Sequence, residues 1–194
     1  MSTIKGNWTY NRWSIALHWA MLGLFVLVYA MIELRVLFDK GSVPRETMKS
    51  LHFMFGLLIF VLVWVRLFFR ATGHRPPIVP APAAWQRLAA GVVHILLYAF
   101  MIGMPLAGWV VLSAAGKPVP FFGLELPALV GQDKALASQV VEWHEAVGTF
   151  GYWLIGLHAL AALAHHYLWK DNTLRRMLPL GGAVATRQDI RDST

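Results

Sequence analysis

Apolar residues fall in four long blocks separated by polar connections. Ile15–Ile32 holds one His and no formal charge. Leu51–Val65 is uncharged, and its pattern continues past Arg66 to Phe69. Leu88–Ala115 and Ala146–Trp169 follow. None shows the polar stripe of a soluble amphipathic helix. About 20 apolar residues cross the hydrocarbon core as a helix, so the blocks predict spans over about 14–34, 51–70, 88–113 and 145–169. The fold class expected is an all-α, four-helix transmembrane bundle in a single membrane domain, 1–194, with a polar tail over 179–194. Arg66 has to snorkel to the interface or find an acidic partner. The first block is too long for a secretory signal and lacks a small-residue cleavage site behind it.

Composition agrees: 57% of the 194 residues are hydrophobic and 14% charged, against about 25% charged in soluble domains. The net charge of +7 reads as a topology signal. Only Arg35, Lys40, Arg45, Lys49, Lys117 and Lys134 flank the side away from the termini; the other eleven of seventeen basic residues lie on the terminal side. The positive-inside rule puts both termini in the cytoplasm. Seven of the ten acidic residues fall on the outer side. No soluble basic face exists, so nucleic acid is not an expected partner; the lipid bilayer is. Without Cys, disulfides, thiolate chemistry and covalent c-type haem attachment are excluded.

The connections add less. The second, 71–87, holds Pro76, Pro77, Pro80 and Pro82 and reads as a stiff spacer. In the third, 116–143, the stretch Lys134–Trp143 is expected to form a short interfacial helix. Pro105 is expected to kink the third helix.

Histidines carry the chemistry, because an ionisable side chain within a span is a functional hypothesis by default. His144 opens the fourth span and His158 follows 14 residues later. Fourteen residues rise about 21 Å and return within about 40° of the same face, so one helix offers two histidines at two depths. His52 and His18 sit at matching depths on the second and first spans. The pairs expected are His52 with His144 and His18 with His158, each suited to axial ligation of a haem iron. Gly56, Gly148, Gly151 and Gly156 would let a flat ring approach, and Trp19, Phe53 and Trp153 would pack on its edges. His94, at nearly the depth of His18 and His158, is an alternative ligand or lines a quinone pocket. A single histidine in a span can also serve only to hydrogen-bond a neighbouring helix.

Several stretches resemble the bacterial cytochrome b561 family: Tyr10 to Trp19 (YNRWSIALHW), Leu51-His52, Trp143-His144-Glu145, Gly156-Leu157-His158-Ala159, and Ala164 to Leu174 (AHHYLWKDNTL). The resemblance covers about residues 8–180 and is closest to the stand-alone superoxide oxidases of that family. It implies a multi-pass protein of the bacterial inner membrane with two haems b, ligated by one His on each of the first two helices and two on the fourth. It further implies a superoxide:ubiquinone oxidoreductase, with superoxide oxidised on the periplasmic side and ubiquinone reduced. Arg35, Lys40, Arg45 and Lys49 are candidates for steering the anion, and Trp13, Ser14, His165, His166 and Lys170 for the quinone site. An electron-transfer subunit fed by a periplasmic dehydrogenase or other redox partner protein is the alternative. A non-redox scaffold with structural histidines is the third class.

Overall fold

The computed structural model describes residues 9–179; the expected tail, from 180 onward, lies outside the described residues. Four helices dominate: α1 (Arg12–Leu34), α2 (Val43–Thr72), α3 (Ala84–Ala114) and α4 (Lys134–Tyr167). All four are long and apolar enough to cross a membrane, and the chain is a four-helix transmembrane bundle. Each begins on a local signal. Asn11 Oδ1 accepts from Trp13 N at 2.9 Å, and Asp133 Oδ1 accepts from Leu136 N at 3.0 Å; both satisfy amide groups that a helix start leaves unpaired. Pro44 occupies the first turn of α2, where its missing N–H costs nothing. Pro105 lies inside α3 without ending it.

The helices run up and down, with α1 beside α2, α2 beside α3 and α3 beside α4. Helices α1 and α4 meet mainly through side chains, among them Tyr29 Oη, which donates to Gly148 O at 2.7 Å. Gly151 permits that approach, since a Cβ there would collide with Tyr29 and Phe100. Most of the apolar surface faces outward. Ile95, Trp153 and Leu160 are exposed, as lipid-facing side chains must be in a bundle whose solvent is hydrocarbon. Trp153, expected to pack on a cofactor ring, is therefore turned away from the bundle interior.

Two features differ from the expectations. Lys134–Trp143 is no separate interfacial helix but the first turns of α4, which continues unbroken to Tyr167. The third connection also contains an antiparallel hairpin, β1 (Val119–Phe121) and β2 (Leu124–Leu126), with Val119 opposite Leu126. Its turn residues Phe122 and Gly123 both have positive φ, 47° and 86°, the backbone of a tight two-residue turn. Val119 is buried against Leu57 and Leu112, so the hairpin caps the bundle end remote from the termini. We call that the far end.

At the near end, Asn172 stitches the last segment to the proline-rich connection. Val79 N donates to Asn172 Oδ1 at 2.9 Å and Asn172 N donates to Val79 O at 3.1 Å. Arg176 donates to Pro76 O, and its guanidinium lies over the Tyr10 ring at 5.4 Å.

Candidate functional site

The bundle interior is layered with the 14-residue spacing of α4. Along each helix, positions 14 residues apart return to nearly the same face. The far layer holds His52, His144, Ile32 and Gly108, all lining one cavity of about 480 Å³. The near layer holds His18, Arg66, His94 and His158. Midway between them lie Phe25, Ile59, Met101 and Gly151. Ile59 and Met101 belong to the apolar core with Met21, Val63 and Leu154, and Phe25 packs against it. An apolar floor therefore separates two polar layers.

In the far layer the rings of His52 and His144 lie 6.3 Å apart, centroid to centroid. Val28 O lies 2.9 Å from His52 Nδ1. A carbonyl only accepts, so that nitrogen carries the proton and Nε2 keeps its lone pair. His144 Nδ1 is buried without a hydrogen-bond partner. Phe53 stands edge-on to His52 at 5.8 Å. Gly108 leaves room beside His144, whose Cε1 would lie 3.5 Å from any Cβ added there. Gly56 and Gly148 also line the cavity; Gly151 serves helix packing instead, and Gly156 has open space in front of it.

In the near layer His18 and His158 are 6.1 Å apart. His94 is 5.4 Å from His158, and its Nδ1 donates to Ala90 O of its own helix at 2.6 Å. Arg66 Nη1 donates to Ser14 O at 3.2 Å, and Nη2 lies at the same distance from His18 Nδ1. Trp19 stands edge-on to His18 at 5.6 Å and donates from Nε1 to Met177 O at 2.7 Å.

The profile of the prokaryotic cytochrome b561 family matches residues 9–180. The chain belongs to the prokaryotic cytochrome b561 family. It is 38% identical over 170 residues to cytochrome b561 homolog 1 of Escherichia coli K12, covering 88% of this chain and 97% of that one. A protein of Yersinia pestis named probable superoxide oxidase CybB is 38% identical over 173 residues, with 88% and 96% covered. Cytochrome b561 homolog 2 of Escherichia coli K12 is 29% identical over 181 residues, with 87% and 90% covered. This b561 protein is thus a multi-pass electron-transfer cytochrome, and haem b is its family's cofactor.

The interior fits that cofactor. Two imidazoles on opposite sides of one metal atom, with bonds of roughly 2 Å and about 1.2 Å from nitrogen to ring centre, have centroids roughly 6.4 Å apart. Both layers hold a pair at that spacing, whereas His94 and His158 are closer. No group of three or more His, Cys, Asp or Glu is gathered at one point among the described residues. Two facing imidazoles suit a macrocycle that brings its own equatorial ligands. The far cavity also falls within the ~300–1,000 Å³ of small-molecule sites.

The other candidates disperse. Arg35 lines the far cavity, along with Glu33 and Glu145. Arg45 donates to Arg35 O at 3.2 Å and Phe38 O at 2.9 Å, so it braces the first connection. Lys49 pairs with Glu46 at 2.7 Å, and Lys40 is exposed. Of the quinone candidates, Trp13 is exposed beneath the Arg12 guanidinium at 5.3 Å and lines an open near-end pocket of about 490 Å³ with Tyr10 and His74. Ser14 is buried and touches Arg66. His165 pairs with Asp171, His166 packs on Tyr167 at 4.8 Å, and Lys170 turns the chain with φ 52°. The pocket that holds Trp13 includes none of these last four. Asp171 and the Tyr29–Gly148 contact were missed from sequence. Tyr29 had a signal: it lies 11 residues after His18, about three turns on and so on the same face.

Proposed function

We propose that this protein is a di-haem superoxide:ubiquinone oxidoreductase of the bacterial inner membrane. The overall reaction converts two superoxide anions, one ubiquinone and two protons into two dioxygen molecules and ubiquinol. The observation that carries the reading is the two-layer histidine array, with pairs at 6.3 and 6.1 Å. It supports two haems, the far one held by His52 and His144 and the near one by His18 and His158. Haem iron between paired imidazoles supplies one-electron transfer without an open position for dioxygen. The residues do the rest. Val28 O holds His52 in the tautomer that frees Nε2. The hairpin shields the far layer, and the apolar floor keeps water from joining the two layers.

Superoxide as donor is supported by the name of the Yersinia pestis relative and by Arg35 in the lining of the far cavity. Termini in the cytoplasm would place that cavity towards the periplasmic side. On the near side Trp13, Ser14, His165, His166 and Lys170 are the candidate quinone surface, with His94 lining its approach.

Oxidised protein mixed with superoxide in a stopped-flow spectrometer tests this. Haem reduction should be complete within the superoxide lifetime, and added ubiquinone should reoxidise it. H52A should abolish reduction by superoxide, whereas H18A should leave reduction of the far haem and lose transfer to quinone. Full haem content without reduction by superoxide would sink the superoxide assignment in favour of a protein donor. A colourless protein would sink the haem reading altogether.

A further inference from the structure

Helix α2 repeats the spacing of α4. His52 and Arg66 are 14 residues apart, as His144 and His158 are. Arg66 therefore occupies on α2 the place that a histidine ligand occupies on α4. Its guanidinium is not released to the membrane surface, the usual resolution for an arginine in a span. It points across to α1, donating to Ser14 O and standing 3.2 Å from His18 Nδ1.

That leaves a cation in the near layer without a counter-charge. The two ion pairs among the described residues are Lys49–Glu46 and His165–Asp171, and neither involves Arg66. A guanidinium has five N–H donors in a planar fork that matches a carboxylate two bonds at a time. Here it meets one carbonyl and one ring nitrogen. The groups around it are imidazoles, the Tyr98 and Tyr10 phenols and the Arg70 guanidinium, and none of them is an acidic side chain. A desolvated cation is costly unless an anion joins it, and among the described residues none supplies one.

We propose that Arg66 binds a carboxylate of the cofactor held between His18 and His158, a propionate of the near haem. This rests on the di-haem reading above. Arg66 is thus a cofactor-positioning residue that also sets the near haem's potential: a fixed cation favours the form carrying the extra electron. Ser14 O orients the fork and leaves the remaining N–H groups for the carboxylate.

The test uses the purified holoprotein, R66K and R66Q, each containing haem labelled with carbon-13 at the propionate carboxyls. Haem content, the midpoint of each haem and the redox-difference infrared bands of the labelled carboxylates are measured. R66Q should keep two haems while the near haem's reduction equilibrium falls about tenfold, equal to about 59 mV for one electron, and its labelled band should move. R66K should stay within about twofold of wild type. Loss of the near haem from R66Q but not from R66K would support the proposal equally; equal loss from both would overturn it, because charge would not be what matters. Unchanged midpoint and bands in R66Q would overturn it as well. So would a raised KM for ubiquinone with bands unmoved, which would give Arg66 to the quinone. One haem per wild-type chain would remove the near site itself and overturn both readings, whereas two haems with R66Q indistinguishable from wild type would overturn this one alone.

Discussion

His158 has two imidazoles within reach, His18 at 6.1 Å and His94 at 5.4 Å. The closer ring is the poorer partner for a shared metal, because two bonds of roughly 2 Å and two ring radii have to fit between the centroids. His94 is also tied by Nδ1 to Ala90 O, one turn back on α3, which holds its ring close to its own backbone. H94A is therefore expected to retain both haems, whereas H18A and H158A each lose the near one; pyridine haemochrome assay per polypeptide reads the difference. An H94A protein with a single haem would make His94 the ligand and free His18. The 14-residue spacing within α4 made the two depths legible from sequence, but the choice between His18 and His94 was not. Both sit on inward faces at similar depth, and only side-chain direction across the bundle separates them.

At the scale of elements, the near end is held by hydrogen bonds between stretches far apart in the chain. Asp171 is buried, lies against His165 Nδ1, and accepts from Thr173 N at 2.8 Å. Burial alone would push its carboxyl above the ordinary 3.8, but hydrogen bonds from His165 and Thr173 outweigh it and hold the pKa below that value. The sign follows: a carboxylate whose pKa is depressed in the folded state contributes stability above its unfolded value. That contribution is lost as pH falls from about 3.8 through the folded value. At neutral pH the clasp is closed. D171N removes the charge and should weaken it by about 1.5–3 kcal/mol, the range for hydrogen bonds to charged groups. Amide exchange over residues 171–178 should then speed up roughly 10- to 100-fold near neutral pH and lose the wild-type acceleration in acid. Exchange unchanged by D171N would mean that the Asn172 and Arg176 contacts hold the segment alone. This clasp was not readable from sequence, since Asn172 and Val79 are paired by tertiary geometry. The four helices were, because each apolar block is long enough to span, and Asn11 and Asp133 cap the starts of α1 and α4. The hairpin escaped for a different reason: its turn puts a non-glycine residue, Phe122, at positive φ, where the tight-turn signal normally shows Asn or Asp.

At the scale of the whole molecule, the two ends are chemically unlike. The far end carries a hairpin cap, a cavity with Arg35, Glu33 and Glu145 in its lining, and six basic residues offset by seven acidic ones. The near end carries most of the positive charge and the clasp. In the proposed orientation, which follows the positive-inside rule, the near end lies in the cytoplasm, and that orientation would decide which substrate each layer meets. A far end with almost no net charge gives little long-range pull on superoxide, so any steering is local to Arg35. The chain contains no Cys, which makes orientation directly measurable with single-cysteine variants. Ala128 follows the hairpin and Ala81 lies in the proline-rich connection; both are exposed. Ala128→Cys is expected to react with a membrane-impermeant maleimide on spheroplasts, and Ala81→Cys only after the membrane is permeabilised. The opposite pattern would turn the molecule over. It would put the hairpin-capped layer in the cytoplasm, and superoxide generated outside could no longer reach His52 and His144.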